Sequence, residues 1–361
     1  IHNLQCEILS DQVLVAGLFA QIEQATLSNI VLADDCTVTG EGPFYAGGIV
    51  AYARLSNIIS CVNRAGITVE GPRGHVGGIA GYLGSSEIDR CENQGLVHAE
   101  VKDTGMYVSY YVYAGGIAGY VWADEQEISV ILNSCNSAAV TVDGVPLYSS
   151  YVGGIAGGAA GYTVAVWNNY NTADISLNTG YGYAGGIVGD NAAVYPELQN
   201  CYNAGAVSTT EGEAYPITSP IDAGENLFYV ENCVNAGESL LGVPKSAEEM
   251  KTEAFAAGLN AAVTAHNTDY AEAWNFLYWK VDPELNDGYP VFTEQDPGYT
   301  AVESATTDVR VYPTAVSSNL YVEGAGSPIY LYDLGGHTVS VTEPVEATTV
   351  VDMSGLAKGV Y

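Results

Sequence analysis

Short apolar runs punctuated by Gly, Asn and Tyr return along most of the chain with a period of 30 to 38 residues. Gly47-Gly48-Ile49 recurs as Gly77-Gly78-Ile79, Gly115-Gly116-Ile117, Gly153-Gly154-Ile155 and Gly185-Gly186-Ile187, with weaker copies at Ala16-Gly17-Leu18 and Ser219-Pro220-Ile221. Further on in each copy comes a Cys, at Cys36, Cys61, Cys91, Cys135, Cys201 and Cys233, with Asn169 in its place once. An apolar residue stands three positions earlier (Ile58, Ile88, Leu132, Val166, Leu198, Val230), and Asn often stands two positions later (Asn63, Asn93, Asn171, Asn203, Asn235). Gly pairs with abundant Tyr, Val and Asn disfavour helices of this period. A single coil of strands cannot bury its own face, whereas stacked coils can, with backbone ladders at about 4.8 Å per rung. The pattern therefore predicts an all-β fold, a β-solenoid of about seven three-stranded coils over residues 1–242. The cysteines Cys61, Cys91, Cys135, Cys201 and Cys233 are expected as a reduced interior row, since a free Cys packs as a small hydrophobe. Gly48, Gly78, Gly116, Gly154 and Gly186 are expected at a tight bend or close backbone approach.

After Gly242 the period ends. Ser246 and Glu249 form an S-x-x-E capping box ahead of a helix running to about Val263, with Met250, Ala254, Gly258 and Leu259 as its apolar stripe. Trp274, Phe276, Tyr278, Trp279 and the turn Asn286-Asp287-Gly288 follow. Residues 243–300 are thus expected as a small mixed cap with one helix, closing the open end of the solenoid. Residues 301–361 alternate as strands at Val309–Tyr312, Leu320–Val322, Ile329–Tyr332 and Thr349–Val351, a separate small β-domain.

Charge narrows the partners. Ten Lys+Arg against 42 Asp+Glu give a formal net charge of −32, and no Lys or Arg lies between Lys102 and Lys245. Such a surface repels phosphate backbones, so no nucleic acid and no anionic membrane is expected as partner. The chain is nonetheless 48% apolar with 27 Tyr, enough to bury a core, and has no apolar run of membrane-spanning length, so no membrane insertion is expected. Seven Cys with no C-x-x-C pair give no zinc spacing. The five His are scattered, and the motifs of metallopeptidases, serine hydrolases and P-loop enzymes are missing from the sequence. Carboxylates such as Asp34-Asp35, Asp124-Glu125 and Glu211 with Glu213 do not return at one repeat position. No cofactor, no metal site and no catalytic residue is predicted. The candidate binding residues are aromatic. Two positions before the Gly pair stand Tyr45, His75, Tyr113, Tyr151 and Tyr183; the loops before two of these add Tyr107, Tyr110, Tyr111 and Tyr148; Tyr52, Tyr82 and Tyr120 follow the Ile. Tyr offers an apolar face and a hydroxyl, which suits sugar rings and protein epitopes, although cross-rung stacking alone would also explain such columns.

The pattern Gly77-Gly78-Ile79-Ala80-Gly81-Tyr82, then Ile88-Asp89-Arg90-Cys91-Glu92-Asn93 with Gly95 and Val97, resembles the GLUG repeat of bacterial surface proteins over about residues 14–240. Val311-Tyr312-Pro313, Ile329-Tyr330-Leu331-Tyr332-Asp333-Leu334-Gly335-Gly336, Met353-Ser354-Gly355-Leu356 and Gly359-Val360-Tyr361 resemble the C-terminal sorting domain of type IX secretion substrates. Thr314 stands where that family has Asn, and the sequence ends before the family's final strand. The resemblances imply a secreted or outer-surface protein of a Gram-negative bacterium, an Ig-like C-terminal β-sandwich, and no single activity. Cys6 has no complete repeat upstream of it, so Ile1 is expected to lie inside a coil. The expected function is an adhesin-like binding or scaffold protein, recognising a glycan or a host or bacterial surface protein. A stalk presenting an upstream module, or a polysaccharide-processing β-helix enzyme, stays open as an alternative.

Overall fold

The structure, a computed structural model, describes residues 1–9, 13–102, 111–144, 149–219, 229–231, 233–236, 241–269, 274–298, 310–312, 319–323, 329–332, 338–342, 344 and 348–354. It divides into two compact units, Ile1–Tyr299 and Thr300–Tyr361.

The first unit is a β-solenoid. Its first four coils carry five short strands each, not the expected three, and in the next two the third and fourth merge into one long strand, Ala156–Trp167 and Val188–Gln199. One coil runs Thr37–Glu41, Phe44–Gly47, Val50–Arg54, Asn57–Ile59 and Val62–Asn63, and the next begins at Gly66–Gly71. Equivalent strands stack in parallel into four sheets, here A to D in the order the coil visits them, with the third and fourth strands both in sheet C. Sheets A and B each hold seven strands. Corners cost the extra breaks. Ser60, Arg90, Asn133, Asn168 and Asn200 all take positive φ, near +50°, at one corner of successive coils. Asn tolerates that region, and stacking forces the same geometry on Ser60 and Arg90.

Two cores fill the coil. Sheets A and B enclose Val38, Phe44, Ala46, Ile67, Val69 and Val76, while sheets C and D enclose Ile49, Val50, Ile58, Cys61, Ile88 and Cys91. The Gly pair joins the two cores. A Cβ on Gly78 would sit 2.4 Å from Asn93 Oδ1, and one on Gly116 would sit 2.4 Å from Asn136 Cγ. The space a side chain would need is taken by a buried Asn ladder. Asn63 donates to Asn93 Oδ1, Asn93 to Asn136, Asn136 to Asn171 and Asn171 to Asn203, each at 2.8 Å. Each of these donors also gives its second amide hydrogen to the carbonyl two residues on, as Asn93 does to Gly95 O at 2.9 Å. Gly pair and Asn are therefore one device, a corner where only a hydrogen-bonded side chain fits.

All seven cysteines are free thiols, and Cys36, Cys61, Cys91, Cys201 and Cys233 share the C–D core. Cys135 departs from the expected row. It pairs in register with Glu92 and Tyr170 and packs in an outer cluster, and Ser134 takes the interior place, bonded to Cys91 N at 3.0 Å. Asn136 explains the slip, because it follows Cys135 by one residue where the other coils have two, and the ladder decides the register. The last corner also differs: Tyr215-Pro216-Ile217, not Ser219-Pro220-Ile221, stands beside Gly185-Gly186-Ile187, with Ile187 N bonded to Ile217 O at 2.8 Å.

The cap contains two helices, α1 (Ala247–Met250) and α2 (Glu253–Asp269), instead of one. The capping box of Ser246 and Glu249 is formed as expected. Thr252 then caps a second start by accepting from Phe255 N at 3.2 Å, which turns the buried face to Phe255, Ala256, Leu259, Val263 and His266 and leaves Ala254 and Gly258 exposed. The cap lies along the flank of the solenoid, on outward-facing Leu132, Cys135, Trp167, Tyr170, Tyr202 and Val234. The large aromatic ones, Trp167, Tyr170 and Tyr202, are what it has to cover; the same rungs of earlier coils hold Ile59, Asp89, Val31, Val62 and Glu92. The segment 274–280 is held from both sides: Asn133 and Asn168 donate to Asn275 O and Leu277 O, while Asn260 and Asn267 clamp the backbone of Trp279 and Phe276.

The second unit carries an antiparallel sheet of Arg310–Tyr312, Asn319–Glu323 and Thr348–Asp352, and an antiparallel pair of Ile329–Tyr332 with Thr338–Thr342. Val322, Leu331 and Val351 are buried in it. The motif residues Pro313, Asp333–Gly336 and Gly355–Tyr361 lie outside the described residues.

Candidate functional site

The predicted aromatic column is formed. Tyr45, His75, Tyr113, Tyr151 and Tyr183 stand on consecutive rungs of sheet B, in register. Tyr52, Tyr82 and Tyr120 form a second column on sheet C, again in register. The outward faces of sheets B and C turn toward each other just past the Gly corner. The ring centroids of Tyr45 and Tyr52 are 5.6 Å apart, those of His75 and Tyr120 4.7 Å, and those of Tyr113 and Tyr120 4.7 Å. Only small residues allow so close an approach: a Cβ on Gly119 would meet Val76 N at 2.5 Å. The result is a notch running along the solenoid, lined on both walls by interleaved, half-buried rings.

Stacking carries the column lengthwise. Tyr52 and Tyr82 are parallel at 4.6 Å, Tyr113 and Tyr151 stack at 4.8 Å, and Tyr183 continues toward Tyr215 at 5.9 Å. Such pairs add about 0.5–1.5 kcal/mol each beyond area burial, so the column also stabilises the sheets. The tyrosines remain half-buried, with part of each ring in contact with solvent. His75 is the exception at 7% exposure; its Nδ1 has no hydrogen-bond partner among the described residues, and burial lowers its pKa to about 3. It is a neutral ring within the stack. Tyr111 edges onto Tyr113 at 5.8 Å. Tyr107, Tyr110 and Tyr148 lie outside the described residues.

Asp190 completes the notch and escaped the sequence reading. The Tyr52–Tyr82–Tyr120 column continues in register through Gly158 to Asp190. A Cβ on Gly158 would lie 2.4 Å from Tyr113 Cδ1, so the missing side chain lets the Tyr113 ring lean across that rung. The Tyr113 hydroxyl thereby donates to Asp190 Oδ2 at 3.3 Å, two rungs away. Burial raises the Asp190 pKa, and the Tyr113 hydrogen bond opposes the rise. Burial first, and the Asp190 charge second, raise the pKa of Tyr113, of Tyr120 (to about 12) and of Tyr151, so these hydroxyls stay protonated donors. The signal was present in the sequence: Asp190 follows Ile187 by the three residues that separate Tyr52 from Ile49.

A second concavity, a cleft of about 840 Å³, lies between the outer face of sheet D and the hairpin of Tyr278–Lys280 with Val291–Thr293, lined among others by Arg90, Cys135, Tyr170, Lys280 and Phe292. No group of His, Cys, Asp and Glu that could hold a metal ion occurs among the described residues.

No protein-family model matches the chain, and no curated protein matches it. Among solved structures, one from Bacteroides ovatus described as a "putative immunoglobulin A1 protease" is similar over 75% of this chain and 76% of that one, with 21% identity and a TM-score of 0.43.

Proposed function

We propose that the chain is a secreted or cell-surface binding module of the adhesin type, of the kind the GLUG-like repeats imply, and that its notch recognises a glycan. The carrying observation is the run of half-buried tyrosines over successive rungs, with hydroxyls held protonated and ring edges reaching solvent. Rings of that kind supply the apolar faces and hydroxyl donors that sugar rings require. The resemblance of residues 301–361 to a sorting domain supports the compartment. Glycan-array screening followed by calorimetry on the wild type and on Tyr151→Ala tests the proposal. A hit whose affinity falls at least tenfold in the variant, with circular dichroism showing the variant still folded at the assay temperature, supports it; the lack of any hit, or hits indifferent to the variant, refutes it.

A further inference from the structure

We infer that the notch takes a ligand bearing an organic ammonium group, with the Asp190 carboxylate as its counter-ion and the rings of Tyr113, Tyr120 and Tyr151 around it. The inference rests on the notch being a binding site, and an amino sugar is the form in which a glycan would supply that group.

Asp190 is an anion short of compensation. Its side chain is half-buried, and its one hydrogen bond among the described residues is the 3.3 Å contact from Tyr113. The ion pairs among the described residues are made by His2, Arg54, Arg90, His98, Lys102, Lys251 and Lys280, and none includes Asp190. The sequence leaves little to supply one, because residues 103–244 contain no Lys, Arg or His. Drawing a carboxylate out of water without a cation is costly unless the charge is met on binding. The surroundings favour a particular kind of cation. Aromatic rings attract alkylammonium groups through their negative faces, whereas a hard metal ion needs several oxygen ligands that this spot lacks. Asp190 is the one charged side chain in a column that runs Gln21, Tyr52, Tyr82, Tyr120, Gly158 and Asp190, so a cationic group seated there meets a single anion within an aromatic wall.

The test uses the full chain, wild type and Asp190→Asn, which keeps the shape and removes the charge. Tetramethylammonium chloride, glucosamine and N-acetylglucosamine are titrated by calorimetry or NMR shift at low ionic strength. Tetramethylammonium and glucosamine are expected to bind the variant about tenfold more weakly, in line with a lost ion pair within an aromatic wall. N-acetylglucosamine, which carries no charge, should not distinguish the two proteins. Tetramethylammonium failing to saturate the wild type, or binding the variant equally, overturns the inference. So does a lower melting temperature for Asp190→Asn, since it would mean that the carboxylate is already satisfied by the fold. If N-acetylglucosamine binds and is lost in Tyr151→Ala while the cations ignore Asp190→Asn, the notch is a glycan site without an ammonium pocket. If tetramethylammonium binding depends on Asp190 and neither sugar binds, the ammonium pocket stands and the glycan function falls.

Discussion

The Asn ladder makes a quantitative prediction about stability. Asn136 is fully buried. It donates to Asn171 Oδ1 at 2.8 Å and to Ala138 O at 2.9 Å, and accepts from Asn93 Nδ2 at 2.8 Å and from Ala138 N at 3.4 Å. Asn136→Ala strands two buried amide groups, on Asn93 and Asn171, and two part-buried backbone groups of Ala138, and at roughly 1 kcal/mol for each lost hydrogen bond the cost is on the order of 4 kcal/mol. Asn93→Ala should cost a similar amount. The two variants remove the same Asn93–Asn136 bond, so their effects cannot add. The double variant is expected to be less destabilised than the sum of the singles by about 1–3 kcal/mol. Urea unfolding followed by circular dichroism measures this, with the slopes compared because a stacked repeat can lose cooperativity when a middle coil is weakened. Additivity to within about 0.5 kcal/mol, or single effects below about 1 kcal/mol, would refute the ladder as a source of stability.

Three further outcomes follow from the same structure. Gly116→Ala should lower stability by about 3 kcal/mol or more through overpacking, because the new Cβ would stand 2.1 Å from Gly154 O; Gly66→Ala, with nothing within 4 Å of its Cβ, serves as the control and should be neutral in thermal melts. For His75 the folded-state pKa, about 3, lies below the ordinary 6.5, so the unfolded chain binds the proton more readily, and stability should fall as pH drops from 6.5 toward 3; His75→Tyr, which matches its neighbours in the column, should flatten that slope. Trypsin should leave a fragment spanning at least Asp103 to Lys245, cutting first near Lys245, Lys251 or Arg310, since the intervening stretch contains no Lys or Arg. Chymotrypsin separates sequence from fold there: rapid loss of the Tyr-rich middle coils would show that the hydrogen-bonded stack itself gives no protection.

The sequence by itself determined the repeat, the solenoid and the place of the Gly pairs, because a structure that stacks on itself must present the same residue at the same rung. It placed Tyr45, His75, Tyr113, Tyr151 and Tyr183 in one column for that reason, and the Ser246–Glu249 box because a capping box is local. What it could not determine was everything set by one face meeting another. Five strands in the early coils and four in the later ones, instead of three, follow from how sharply each corner bends. Cys135 turned outward because the buried amide ladder, not the thiol, decides register. The cap settled on the flank because Trp167, Tyr170 and Tyr202 face outward there. Asp190 joined the tyrosines only when the outward faces of the consecutive sheets B and C closed on each other across the Gly corner and Gly158 let a ring lean across the gap. Period is written along the chain, whereas proximity between walls is a property of the folded coil.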